Sequence, residues 1–159
     1  MNIIIVGGTN EVNNMETNFR AIVDKYEYSH PCAETYNTIM WPEVRKSIDG
    51  FSSVHPKDIY DNILSEIRKM NHAETFKETC SKRLVTYILT YSEHALNAAR
   101  EAMIEYNNLN VIVYQLTPEK QTRTCVDEYG ALDVWVDGVF DQYDTEIESI
   151  LTKRSDKQK

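Results

Sequence analysis

The chain is poor in the residues that usually carry chemistry. Its three cysteines, Cys32, Cys80 and Cys125, lie far apart in 159 residues. No CxxC pair is formed, which excludes paired-thiol metal and redox motifs and leads us to expect a reducing, cytoplasmic location. His30, His55 and His72 show no ligand spacing such as HxxxH, so no metal site is expected. Glycine is scarce as well, at five residues, and the phosphate-binding pattern GxxxxGK[ST] does not occur. No apolar run approaches the roughly 20 residues of a membrane helix, so no membrane partner is expected. The opening Met1-Asn2-Ile3-Ile4-Ile5-Val6 carries no basic leader and is read as a strand, not an export signal. Positive charge is the remaining scarcity. Seventeen Lys and Arg face 25 Asp and Glu, a formal net charge of -8. An acidic surface repels phosphate backbones, so direct nucleic-acid binding is not expected. The one basic cluster, Lys153-Arg154 with Lys157 to Lys159, is expected to be a flexible tail on a single domain of residues 1–152.

What is present is a core. Apolar residues make up 42% of the chain, enough for one globular domain. Ile3 to Val6 is a continuous apolar run that ends at Gly7-Gly8, the pattern of a strand buried on both faces. Met15, Phe19, Ile22, Val23 and Tyr26 recur at helical spacing, with Asn13 or Asn14 as the cap. Ser29 to Gly50 is punctuated by His30-Pro31 and Trp41-Pro42, and short helices are expected between the prolines. Pro56 suits the first turn of a helix striped by Ile59, Ile63, Ile67 and Met70. Leu84 to Leu89 is the best central strand, followed by a helix with Leu96, Ala99, Met103 and Tyr106 on its buried face. Leu109 to Leu116 and Gln121 to Val126 form a hairpin across Thr117-Pro118-Glu119-Lys120. In the turn Asp127-Glu128-Tyr129-Gly130 the glycine suits positive φ. Leu132 to Val136 alternates as a short strand does, and Phe140, Tyr143, Ile147 and Ile150 stripe a last helix. Strands alternating with helices predict a three-layer α/β sandwich, with a mostly parallel sheet and an antiparallel edge hairpin.

Thr90-Tyr91-Ser92-Glu93-His94-Ala95-Leu96-Asn97-Ala98-Ala99-Arg100 stands where the Leu84–Leu89 strand turns into a helix. It resembles the Thr-His-Ser-Glu-His-Leu-Leu-Asn-Arg run late in the ATPase head of SMC-like and OLD-like (overcoming lysogenisation defect) proteins of the ABC class. Further fragments resemble the same heads in the same order. They are His55-Pro56-Lys57 before a helix, the 109–126 hairpin, Asp127-Glu128-Tyr129-Gly130, and Trp135-Val136-Asp137-Gly138-Val139-Phe140-Asp141. The match covers about residues 54–148, and its specificity lies in the ordered set, not in any one fragment.

The departures concern chemistry. ATP hydrolysis in this class needs a phosphate-loop lysine, a hydroxyl on Mg²⁺ and acidic residues for metal and water. After Val6-Gly7-Gly8-Thr9-Asn10, Asn14 and Met15 stand where Gly and Lys would serve. No apolar strand ending in Asp-Glu precedes His55, and Asp49 is the nearest acid. At the switch position Tyr91 replaces the histidine that the resemblance implies, and a phenol does not do the work of an imidazole there. Glu93 and His94 form an acid–base pair at a helix start, but capping by Ser92 and a dipole-complementing Glu93 explain them without catalysis. The resemblance therefore implies a truncated pseudo-ATPase without cofactor or catalytic residues. Its expected role is to bind a larger ABC-class ATPase as decoy, inhibitor or regulatory subunit, as a phage-encoded anti-defence protein would. Tyr91, Glu93, His94, Asn97, Arg100, Trp135 and Phe140 are the expected partner-binding residues. Ten tyrosines and two tryptophans supply aromatic surface for such an interface or for a homodimer. The competing reading is a small nucleotide-binding enzyme or sensor that holds phosphate on the backbone of Gly7, Gly8 and Thr9, with Glu11, Glu16 or Asp49 as nearby acids.

Overall fold

The structure, a computed structural model, describes residues 1–9, 11–41, 56–75, 83–140 and 146–159. The elements run β1 (Asn2–Gly8), α1 (Met15–Ser29), β2 (Ala33–Trp41), α2 (Pro56–Thr75), β3 (Arg83–Thr90), α3 (Glu93–Glu105), β4 (Asn110–Leu116), β5 (Gln121–Cys125) and α4 (Glu146–Gln158). Five strands form one sheet in the order β2-β3-β1-β4-β5. The first four are parallel and β5 returns antiparallel to β4. This is the expected three-layer α/β sandwich with an antiparallel edge.

β1 is central because it is apolar on both faces. It pairs with β3 on one side (Ile5↔Ile88) and with β4 on the other (Ile5↔Val113). Strand periodicity then sorts its side chains. Ile4 and Val6 join Val85, Tyr87 and Leu89 under α1, whose Met15, Phe19, Ile22 and Tyr26 are buried. Ile3 and Ile5 join Leu84, Ile88, Val111 and Val113 on the opposite face, against Ile63, Ile67 and Met70 of α2 and the alanines of α3. α3 lies between α2 and α4. Its buried Ala95, Ala98, Ala99 and Ala102 let its backbone come close to the sheet. One described helix thus covers one face and three pack on the other side.

Several expectations change. In place of the short helices that its prolines predict, the 29–50 stretch contains edge strand β2, and residues 42–50 lie outside the described residues. A register shift between Thr35 and Asn37 breaks the period-two pattern, which hides the strand in the sequence. Tyr36 and Ile39 reach the α2 side while Ala33 and Met40 reach the α1 side. Asn14 occupies the α1 cap position in a left-handed conformation without a side-chain bond. Asn18 Nδ2 instead donates to the carbonyls of Asn13 and Asn14. Leu132 to Val136 is not a strand beyond a single bridge from Leu132 to Val126. Phe140 belongs to a turn and not to the last helix. Tyr143 lies outside the described residues.

The expected tail is also different. Residues 153–158 continue α4, and Lys153 Nζ bonds to the carboxylates of Glu101 and Glu105 on α3. Glu101 is a buried acid that only the packed α3 places under this lysine. The buried-acid contact that orders Lys153 joins positions 52 residues apart, too distant for a local pattern to reveal.

Candidate functional site

In an open α/β sheet, ligands bind outside the carboxyl ends of strands where neighbouring connections leave to opposite faces. Here that point lies between β1, which leads into α1, and β3, which leads into α3 on the other face. The fold therefore puts Gly7, Gly8 and Thr9 beside Thr90, Tyr91 and Ser92 at the expected place.

The crevice is filled by the chain itself. Gly7 and Gly8 remain in the β1–β4 ladder, paired with Gln115 and Leu116, and Thr9 N–H donates to the Leu116 carbonyl at 3.0 Å. Gln115 is fully buried, and its amide clamps the 134–136 backbone. Its Nε2 donates to Val134 O at 2.8 Å and its Oε1 accepts from Val136 N at 3.0 Å. The clamp carries the next residues over the strand end. A β-carbon on Gly138, which has φ +78°, would stand 3.3 Å from Thr9 Cγ2. Phe140 follows at φ 52°, a left-handed conformation rare for a bulky residue, with its ring buried against Gly7. Thr9 Oγ1 is buried beneath this cover and has no hydrogen-bond partner among the described residues. The signal in the sequence for this clamp is the polar Gln115 inside an apolar strand.

A second cluster sits where α3 meets the loop after β5. Asp127 Oδ1 accepts from Tyr129 N and Ala131 N, closing the expected turn with Gly130 at φ +76°. The turn aims the Gly130 carbonyl at α3, where Arg100 Nε donates to it at 2.6 Å. Arg100 Nη1 also donates to Oδ1 of buried Asn97 at 3.0 Å. The guanidinium carbon lies 5.5 Å from the centre of the Trp135 ring, a cation–π contact. Burial lowers the Arg100 pKa, nearby Arg154 lowers it further, and Asp127 opposes them. The guanidinium stays charged, since its ordinary value is far above neutrality. Trp135 keeps 42% of its surface exposed and Val134 keeps 48%.

Of the expected partner-binding residues, the fold brings Asn97, Arg100 and Trp135 together. Phe140 is inside, on Gly7. Tyr91 packs toward the α1 side of the sheet. Glu93 and His94 are half-buried at the start of α3, with Ser92 Oγ accepting from His94 N as the expected cap. No group of three or more His, Cys, Asp or Glu side chains suited to a metal ion occurs among the described residues. No described helix is long and apolar enough to cross a membrane.

No family model, curated protein or solved structure matches this chain.

Proposed function

We propose that the protein is a non-catalytic, ATPase-like binding protein that engages a larger ABC-class ATPase as decoy, inhibitor or regulatory subunit. A phage-encoded anti-defence role suits such a protein. The observation that carries this reading is the Phe140 ring on Gly7. A phosphate cradle needs open space and free N–H groups after the first strand. Here an apolar ring held by a left-handed backbone takes that space. Support for protein binding comes from Val134 and Trp135, exposed beside an anchored arginine. Tryptophan and arginine dominate interface energetics, and an ordered pair loses little freedom on binding. The choice of an ABC-class partner rests on the sequence resemblance.

The test is a tagged pull-down from the natural host, with and without Mg-ATP, repeated with Trp135→Ala. Recovery of an intact ABC-class ATPase by the wild type and its loss with the variant supports the proposal. Recovery unaffected by Trp135→Ala places the interface elsewhere, and recovery of no ATPase by folded bait removes the reading.

The buried, unpartnered Thr9 Oγ1 favours a second reading, a small nucleotide sensor. That reading requires the 134–140 cover to open. It predicts saturable nucleotide binding in equilibrium dialysis, abolished by Gly8→Trp.

A further inference from the structure

The two faces of the sheet are unequally covered. A helix is about 10 Å across and strands are about 4.8 Å apart, so one helix shields roughly two strands. On the α1 face, α1 packs over β1 and β3, and toward β5 the β4 residues Ile112 and Tyr114 are only partly buried at the margin of its cluster. The register places Ile112, Tyr114, Arg123 and Cys125 together on that side, through the pairs Ile112↔Cys125 and Tyr114↔Arg123. Asn2 and Asn110, partners in β1 and β4, continue the same face toward the amino ends of the parallel strands. Arg83 opens β3 on the same face, two residues before Val85.

All of these residues but Tyr114, with the last turn of α1, line an open cleft of about 490 Å³. Its α1 wall is Tyr26 stacked on His30, with ring centres 4.0 Å apart. Its floor is an amide pair, Asn110 Nδ2 donating to Asn2 Oδ1 at 3.1 Å, a bond that does not use the Asn2 amide nitrogen or the Asn110 amide oxygen. Arg83 and Arg123 stand at its two sides. Neither guanidinium has a carboxylate partner among the described residues, where the side-chain hydrogen bond of Arg123 is to Cys125 Sγ at 3.7 Å. In a chain of net charge -8, two guanidiniums in one cleft, without a carboxylate partner among the described residues, are a local reversal of sign.

We propose that this cleft binds a phosphate-bearing small molecule, held by Arg83 and Arg123 and seated on Tyr26, Ile112 and the Asn2–Asn110 amide pair. Planar guanidinium forks match the several acceptors of a phosphate, and charge-assisted bonds of this kind are about twice as strong as neutral ones. The volume lies within the range of small-molecule sites and is short for an extended peptide. Both guanidiniums act on the same hydroxyl. Burial and Tyr114 raise the Tyr26 pKa, while Arg123 and Arg83 pull it down, so the two charges share one space. The site is at the amino ends of the parallel strands, away from the filled crevice, and does not depend on the ATPase-like reading.

The test is calorimetric titration at low ionic strength with three probes: sodium pyrophosphate, adenosine monophosphate and a short poly-glutamate peptide. The proteins are the wild type, Arg83→Gln with Arg123→Gln, and a control, Arg20→Gln with Lys69→Gln, that removes the same charge from distant ion pairs. Both tested arginines are exposed, and matching urea midpoints confirm that the double variant is folded. We expect millimolar or tighter binding of pyrophosphate or the mononucleotide, about tenfold weaker in the arginine double variant and unchanged in the control. A tighter mononucleotide assigns a ligand with a planar group, and equal affinity assigns the phosphate alone. No heat and no thermal shift with either phosphate overturns the proposal. So does binding that survives loss of both arginines, or a peptide that binds more tightly than both phosphates.

Discussion

Gly7 and Phe140 are fitted to each other. A β-carbon on Gly7 would stand 2.8 and 2.9 Å from Cε1 and Cε2 of the Phe140 ring and nearer still to its Cζ. Phe140 holds this contact from a left-handed backbone at φ 52°. That conformation costs on the order of 1–2 kcal/mol in a bulky residue, which ring burial offsets.

A double-mutant cycle reads the relationship directly. Phe140→Ala should cost about 3 kcal/mol, the loss of a buried ring. Gly7→Ala should cost about 1–3 kcal/mol through overpacking. In the Phe140→Ala background, Gly7→Ala should be nearly neutral, a coupling of about 1 kcal/mol or more. Urea unfolding of the four proteins checks this, and simple additivity would show that the ring does not stand over Gly7 in solution.

Arg100 and Trp135 should separate stability from binding. Trp135→Ala, at a half-exposed site, should change stability by less than about 1 kcal/mol while abolishing partner capture. Arg100→Ala should cost about 1–3 kcal/mol, because the Gly130 carbonyl and Asn97 lose a charged donor. Arg100→Lys should recover only part of this, since one ammonium does not replace the planar fork. Paired denaturant melts and pull-downs measure both quantities.

Lys153 docks α4 onto α3. Burial acts to lower its pKa, but the hydrogen bonds and charges of Glu101 and Glu105 outweigh it and raise the pKa. Lys153→Met should cost about 1–2 kcal/mol at pH 7, less than breaking a fully buried pair, because solvent reaches the lysine. A raised lysine pKa contributes stability that is complete below the unfolded value near 10.4 and is lost as pH rises through the folded value. The gap between wild type and variant should therefore narrow above about pH 10.4. A gap of constant size across urea melts at neutral and strongly alkaline pH would remove the ion pair as its cause.

Tyr87 is fully buried in the central strand β3, with its hydroxyl lacking a hydrogen bond among the described residues. Burial raises its pKa strongly, and the charge of Glu27 adds to the rise. The unfolded chain then releases the proton first, from about pH 10 upward, so stability falls with pH there. Tyr87→Phe should be neutral to about 1 kcal/mol stabilising at pH 7. It should also soften the alkaline decline. A steeper alkaline loss in the variant, measured by melts across pH, would contradict the burial of this phenol.

Local patterns were enough for the strands and helices that bury a full face. Ile3 to Val6 has no polar position and had to be flanked on both sides. The Ile59, Ile63, Ile67 and Met70 stripe holds α2 against the sheet, and Ser92 caps α3 as its type and place suggested. Each of these depends on residues within a few positions of one another. β2 was hidden because its register shift interrupts the alternation and its edge position leaves one side unpaired.

The candidate sites divide in the same way. Sequence alone put Gly7, Gly8 and Thr9 at the end of a buried strand, though not that the two glycines stay in its ladder, put Gly130 in a positive-φ turn, and picked out Arg100 and Trp135. Only the tertiary structure decided that the Gln115 amide clamps the 134–136 backbone, that Phe140 lies on Gly7, and that Arg83 and Arg123 share one cleft. Those contacts join residues 19 to 133 positions apart. They follow from strand order, and strand order is set by how all the apolar faces are buried together, which no single segment encodes.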